Sequence, residues 1–202
     1  MPKSHQLHPA KNHKIYFLAW YFGWEVLETY VQEFIPSKTV AGGGSPRILC
    51  PGVGNDSILV DLYRSKYPYI TAFDYSEHAI HRQHDLLSFE LPAKAMENIE
   101  LYTMDARKLP DPEWNDRFDA IVEKGALDAI YLSGDGNVEL AVASLYRVLK
   151  PGGIMLSVSG VVPEKLRNEL LGKDQWEWLR DGSDELQAGC FVLRKKYKGK
   201  VS

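Results

Sequence analysis

The stretch FDAIVEKGALDAI, residues 118–130, is an apolar run that is interrupted by Glu123, Lys124 and Gly125. Its first half, FDAIV, is short and apolar on both faces, which is typical of a central strand in a parallel sheet. In open parallel sheets, ligands bind in the crevice outside the carboxyl ends of the strands. We therefore expect the acid, the base and the glycine to lie where this strand ends at such a crevice.

The same rhythm of short apolar runs and helices continues on both sides of this stretch. Alternation of this kind indicates βαβ units and a parallel sheet, here of about five strands. The last two apolar runs, WEWLRDG and AGCFVLRKK, have no obvious helix between them and predict an antiparallel hairpin at a sheet edge. The predicted strands lie at 47–50, 69–73, 99–104, 118–122 and in IMLSVS, and the predicted helices lie near 56–64, 76–89 and 137–149.

These elements predict a single α/β domain for the 202 residues. Its centre is a Rossmann-like, doubly wound sheet of about seven strands, mostly parallel, with a C-terminal antiparallel hairpin. One or two N-terminal helices are expected in the aromatic segment 15–35, which stops at Pro36. We divide the domain into an N-terminal helical lid (1–45), a cofactor-binding core (46–160) and a C-terminal hairpin (161–202).

Net charge, cysteine content and hydropathy indicate which partners and which cellular compartment to expect. The net charge of −3 gives no electrostatic footprint for nucleic acid. The two cysteines, Cys50 and Cys190, lack the spacing of a disulfide framework or a zinc site, which favours a reducing, cytoplasmic location and no bound metal. The polar N-terminus does not resemble a signal peptide, and no apolar run is long enough to span a membrane.

Three strand ends carry candidate binding residues. In CPGVGNDS, residues 50–57, Gly52 and Gly54 allow a tight turn and close approach of a ligand. Asp74 follows Gly54 by 20 residues, the spacing at which an acid binds the hydroxyls of an adenosine ribose. Asp105 is placed to accept from the adenine amine while the backbone of Ala106 meets a ring nitrogen. Each has a structural alternative: the glycines could form an ordinary strand-to-helix turn, Asp74 could cap the following helix, and Asp105 could be a turn acid.

A dinucleotide is the other cofactor that such a turn suggests. Here Ser57 replaces the third small residue of the dinucleotide pattern, and Asp56 stands at the helix N-terminus, where a carboxylate would repel a pyrophosphate. S-adenosylmethionine has no phosphate and carries cationic amino and sulfonium groups. The residues therefore favour S-adenosylmethionine over NAD.

The order of these motifs resembles the class I, seven-strand methyltransferases across nearly the whole chain. More narrowly, FDAIVEKGALDAI is similar to the F-D-x-x-x-[DE]-K-G-[TA]-x-D-A signature of the group that includes the elongation factor 1-alpha lysine methyltransferases. ILCPGVGNDS, ITAFDYS and YTMDARKL are similar to that group's other motifs. Its Trp-[FY]-G element corresponds to YFG at 21–23, with Tyr21 in the tryptophan position, whereas its Y-W-x-x-R-Y element is not recognisable.

The resemblance implies S-adenosylmethionine as cofactor and a protein lysine as methyl acceptor, with a translation factor as one candidate substrate. We hypothesise that Glu123 is the catalytic residue and orients the acceptor amine, while Tyr21 or Trp24 walls the channel. The implied cofactor contacts are Tyr21 before the first strand, Gly52 and Gly54 at the methionine portion, Asp74 and Tyr75 at the ribose, Asp105 and Ala106 at adenine, and Lys124 beside the methyl group.

Other acceptors and a different class of function stay open. The chain lacks the Asn/Asp-Pro-Pro-aromatic run of nucleobase amino-methylating enzymes and the paired-glutamate loop of arginine methyltransferases. A small-molecule acceptor is the main alternative, because this fold hosts both kinds of enzyme. A cofactor-binding module without turnover, serving as a partner subunit, is the alternative from another class.

Overall fold

The computed structural model describes residues 21–38, 43–134, 136–184 and 189–197, and within them the chain forms a seven-stranded sheet of order β3-β2-β1-β4-β5-β7-β6. Strands β1 to β5 are parallel, and β7 runs antiparallel to both β5 and β6. The predicted fold class, with its C-terminal hairpin at a sheet edge, is confirmed. The strands are β1 (Arg47–Pro51), β2 (Tyr69–Asp74), β3 (Ile99–Thr103), β4 (Phe118–Lys124), β5 (Leu149–Val158), β6 (Trp176–Asp181) and β7 (Cys190–Lys195).

The predicted helices are present with small shifts at their ends, and two further α-helices among the described residues were not predicted. The unpredicted ones are α4, which follows directly from the end of β4, and α6, which follows β5. The break that the sequence predicts at Pro151 and Gly152 lies within the first part of β5. This part is irregular, because the pairing register against β4 shifts there. The helices are α1 (Trp24–Phe34), α2 (Ile58–Arg64), α3 (Glu77–Glu90), α4 (Ala126–Leu132), α5 (Asn137–Val148) and α6 (Glu164–Leu170).

The sheet is covered on both faces, as a doubly wound fold requires. Successive residues of a strand point to opposite faces. Ile48 accordingly packs into one apolar cluster with α1, α2 and α3, whereas Leu49 packs into a second cluster with α4 and α5. Both side chains are fully buried. This two-sided burial explains why the central strands β1, β2 and β4 are almost continuously apolar and have most of their polar residues near their ends.

The proposed division into lid, core and hairpin stays a prediction. Residues 1–20 of the predicted lid lie outside the described residues. The part of the chain that the structure describes includes no helix that is long and apolar enough to cross a bilayer.

Candidate active site

The glycine turn after β1 is built as the sequence predicts. Gly52 and Gly54 have φ of +58° and +53°, values that L side chains adopt only with strain. A Cβ atom at Gly54 would meet nothing within 4 Å, so open space lies beside the turn. The Gly54 N–H donates to Asp74 Oδ2 at 2.9 Å, which ties the turn to the end of β2.

Asp74 is buried, with only 6% of its surface exposed. Its second oxygen, Oδ1, accepts from the N–H of Ser76 at 2.9 Å, and the Ser76 hydroxyl in turn accepts from Ala79 N at the start of α3. The helix cap is thus Ser76 and not Asp74. Each carboxylate oxygen retains acceptor capacity for a ligand hydroxyl. The ribose role stays a prediction, and the adjacent Tyr75 is 84% exposed.

Asp105 lies after β3 and is held by its neighbour Arg107. It accepts from the Arg107 backbone N–H at 2.9 Å and from the guanidinium, with the shortest distance, 2.6 Å, from Nη2 to Oδ2. The Arg107 side chain holds the pKa of Asp105 below its ordinary value. These contacts are those of an acid that stabilises its own turn, which is the alternative to adenine binding. Adenine binding by Asp105 and the buried Ala106 stays a prediction.

Lys124 and Asp56 form an ion pair that crosses from the end of β4 to the glycine turn. The distance from Lys124 Nζ to Asp56 Oδ2 is 2.5 Å, and the two side chains are only 6% and 21% exposed. Lys124 is therefore not a solvated turn charge. The pair also neutralises the acid at the turn, so the charge of Asp56 no longer argues against a pyrophosphate. The choice of S-adenosylmethionine must then rest on other findings.

Glu123 does not face the crevice, contrary to expectation. Gly125, with φ of +77°, turns the chain so that the first turn of α4 covers the end of β4. Glu123 is fully buried beneath it, where it accepts from the Ser157 hydroxyl and from Leu127 N at 3.3 Å. Burial raises the pKa of Glu123 to about 7. Its proposed role toward an acceptor amine is not tested by these contacts.

Asp128, in the first turn of α4, is a second fully buried carboxylate at this strand end. It was not singled out from the sequence, although Asp128 is the aspartate of the EKGALDA motif. It holds the loop that follows β5. Its five hydrogen bonds come from the hydroxyls of Tyr21 and Ser159 (2.7 Å) and from the N–H groups of Gly160 (2.8 Å), Val161 (3.1 Å) and Val162 (2.8 Å).

Tyr21 connects the segment before α1 to this loop and lines a large cavity. The cavity has a volume of about 1130 Å³. Its lining does not include Gly52, Asp74 or Asp105, so these three residues lie outside it. Tyr21 was expected at the cofactor, and that contact stays a prediction. Among the residues lining the cavity are Tyr21, Ser159, Gly160, Arg167, Trp178 and Phe191.

The ends of β1 and β2 fit an adenosine cofactor of the predicted kind. Open space beside Gly54 permits close approach of a ligand, and Asp74 lies against that turn with acceptor capacity for hydroxyl groups. Among the described residues, no cluster of His, Cys, Asp and Glu could hold a metal ion.

Comparison with known proteins defines the class. Residues 47–191 match the family described as a methyltransferase domain, and the chain therefore belongs to that family. Together with the observed strand order, this makes it a class I domain with S-adenosylmethionine as cofactor.

Named relatives narrow the resemblance further. The chain is 27% identical over 142 residues to mouse EEF1A lysine methyltransferase 4, a match that covers 65% of this chain and 52% of the relative. It is 34% identical over 126 residues to human EEF1A lysine methyltransferase 2, covering 60% and 51%. The chain thus spans about half the length of these relatives. The predicted resemblance to this group is confirmed.

Solved structures support the fold. The SAM-bound CalS10, an amino pentose methyltransferase from Micromonospora echinaspora, superposes with a TM-score of 0.64 at 13% identity, covering 87% of this chain and 92% of that one. At this identity the likeness concerns the fold alone.

Proposed function

We propose that this protein transfers the methyl group of S-adenosylmethionine to the side-chain amine of a lysine in a protein substrate. The match of residues 47–191 to the methyltransferase domain is the observation that carries the cofactor assignment, and the contact of the glycine turn with Asp74 is consistent with it. The acceptor assignment is supported by the two elongation factor lysine methyltransferases, each at least 27% identical to the matched region. A translation factor is accordingly the first candidate substrate, and a cytoplasmic location fits it.

The chain's own task in this reaction is alignment. The cofactor supplies an activated methyl group, so the protein contributes mainly by holding the acceptor nitrogen in line and by excluding water. A lysine amine has a solution pKa of about 10.4 and must shed its proton before it can attack. The hypothesis that Glu123 orients the amine requires an indirect effect through α4, because its carboxylate is fully buried.

A small-molecule acceptor is the second candidate. The observation in its favour is the cavity of about 1130 Å³, which is large enough for a metabolite. A third possibility, a cofactor-binding module without turnover, predicts binding of S-adenosylmethionine without conversion to S-adenosylhomocysteine.

The test is to incubate the purified protein with methyl-tritiated S-adenosylmethionine and a cell extract, and then to count protein, RNA and small-molecule fractions. We expect label in a discrete protein band, on lysine by mass spectrometry. Label only among small molecules would favour the metabolite enzyme, and cofactor binding without label would favour the module.

Two variants control this experiment. Asp74→Asn should lower labelling in every fraction, because the amide turns an acceptor into a donor beside the glycine turn. Asp85→Asn, an exposed acid on α3, should label like the parent.

A further inference from the structure

The hydroxyls at one end of the large cavity both donate to the same buried carboxylate. Tyr21 Oη and Ser159 Oγ each donate to Asp128, and both residues are among those that line the cavity, Tyr21 with 37% and Ser159 with 4% of its surface exposed. A hydroxyl has one proton to donate, so both oxygens can offer only lone pairs to a ligand. A ligand group that meets these hydroxyl groups must therefore be a hydrogen-bond donor.

The charge behind these hydroxyls is negative. Burial alone would raise the pKa of Asp128, but the hydrogen bonds from Tyr21, Gly160 and Ser159 outweigh burial and lower it. Asp128 is therefore ionised at neutral pH. A carboxylate held out of water attracts a cationic ligand more strongly than a surface acid does.

The tyrosine is fixed from two sides. Its backbone lies in the left-handed region, with φ of +70°, which is unfavourable for a side chain of this size. Its ring packs so closely on Gly160 that a Cβ there would lie 2.9 Å from Tyr21 Cε1. The hydrogen bond to Asp128 and this contact hold the hydroxyl at the cavity wall in spite of the backbone strain.

We propose that Tyr21 and Ser159 bind the amino group of the methyl acceptor and that Asp128 is the positioning residue behind them. The ligand class is an alkylamine, such as a lysine side chain, which this site takes up as the ammonium ion before the amine loses its proton to solvent and attacks. Its methylene stem would pack against Trp178, which lines the same cavity. This inference rests on the proposed function, because it takes the cavity as the acceptor side of a methyltransferase.

Arg167 is one of three cationic residues among those lining the cavity, together with Lys173 and Arg180; the acidic lining residues are Glu164 and Asp181. Its guanidinium lies 4.0 Å above the Phe191 ring and donates to Val162 O at 2.7 Å. No carboxylate among the described residues lies within ion-pair distance of it. If Arg167 set the preference of the cavity, anionic ligands would bind better than cationic ones. The two assignments thus predict opposite ligand charge.

The test is an NMR titration of the full chain, alone and with S-adenosylhomocysteine, using n-pentylammonium and pentanoate as probes of equal length. We expect pentylammonium to bind at least about tenfold more tightly than pentanoate. Tyr21→Phe should weaken pentylammonium about five- to tenfold, as expected for one charge-assisted hydrogen bond, and leave pentanoate unchanged. Tyr197→Phe, an exposed tyrosine outside the cavity lining, is the matched control.

Two further variants guard against a merely structural effect. Ser159→Ala should reduce the preference for pentylammonium in the same direction, and Asp128→Asn should bring the ratio of the two affinities close to one. Tighter pentanoate binding, or pentylammonium binding that is the same in Tyr21→Phe and the parent, would overturn the inference. Lysine labelling in cell extract is scored separately, so an amine site without labelling would count against the proposed function alone.

Discussion

The two halves of the carboxyl edge of the sheet use their acids differently. At the ends of β2 and β3, Asp74 and Asp105 accept from backbone N–H groups only two residues further along the chain. At the end of β4, Asp128 bonds to Tyr21, 107 residues away. After the roles proposed for them, we call the ends of β1, β2 and β3 the cofactor half, and the end of β4 with the loop after β5 the acceptor half. Asp74 and Asp105 accept from donors no more than 20 residues away in the chain, whereas Asp128 connects segments that are 107 residues apart.

The acceptor half also contrasts two acids that are equally buried. Glu123 and Asp128 are both fully inaccessible, yet burial raises the pKa of Glu123 to about 7 while that of Asp128 is lowered. Five hydrogen bonds to Asp128 outweigh the effect of its burial, whereas the hydrogen bonds to Glu123 do not. Burial therefore does not by itself fix the charge state of an acid.

The largest expected effect is on Asp128. Asp128→Asn removes the charge and replaces one acceptor oxygen by an NH2 donor that faces other donors, so the free energy of unfolding should fall by about 3 to 5 kcal/mol. Urea unfolding measures this loss. Asp85→Asn on the exposed face of α3 should change stability by less than about 0.5 kcal/mol. Equal stability of the two variants would contradict the role of Asp128 in holding the loop after β5.

The difference in stability between Glu123→Gln and the parent should depend on pH, which tests the raised pKa of Glu123 against the lowered pKa of Asp128. A raised folded pKa means that the folded state retains its proton between the ordinary pKa of 4.5 and about 7, while the unfolded state loses it. The contribution of Glu123 to stability is therefore fully present below about pH 4.5 and is lost as the pH rises through about 7.

Glutamine resembles the protonated acid. The free energy of unfolding of the variant should therefore rise relative to that of the parent as the pH rises, by up to about 3 kcal/mol at pH 8. Urea unfolding of both proteins at pH 5, 6, 7 and 8 measures this difference. A parent and variant that keep a constant difference in stability across this range would refute the raised pKa.

The smallest effect on stability is expected in the cofactor half. Gly54→Ala and Gly136→Ala both place a side chain at positive φ in open space, so each should cost about 1 to 2 kcal/mol of stability. Only Gly54→Ala should also weaken S-adenosylmethionine, by about tenfold, in calorimetric titration. Equal cofactor affinity in the two variants would remove the glycine turn from the proposed site.

The cofactor half could be predicted from sequence because its signals are local. The alternation of apolar runs defines the strands, and the glycine turn with Asp74 follows from spacing alone. The contact of Gly54 with Asp74 is the outcome of that spacing. The pairing of Lys124 with Asp56 was not foreseen, because it depends on how closely β4 approaches the turn after β1.

The acceptor half could not be predicted to the same depth. Helix α4 is only seven residues long and follows β4 without a loop, so its sequence reads as a continuation of an apolar run. The covering of Glu123 and the role of Asp128 both depend on that helix. The partners of Asp128 come from the segment before α1 and the loop after β5, which no local pattern connects.

The most direct test measures methyl transfer to lysine in extract proteins as a function of S-adenosylmethionine concentration, for the parent, Asp74→Asn and Tyr21→Phe. We predict that high cofactor concentration restores transfer by Asp74→Asn but not by Tyr21→Phe, because only the former weakens cofactor binding. Restoration of Tyr21→Phe by cofactor would assign Tyr21 to the cofactor half, and a parent that labels no lysine would contradict the proposed function.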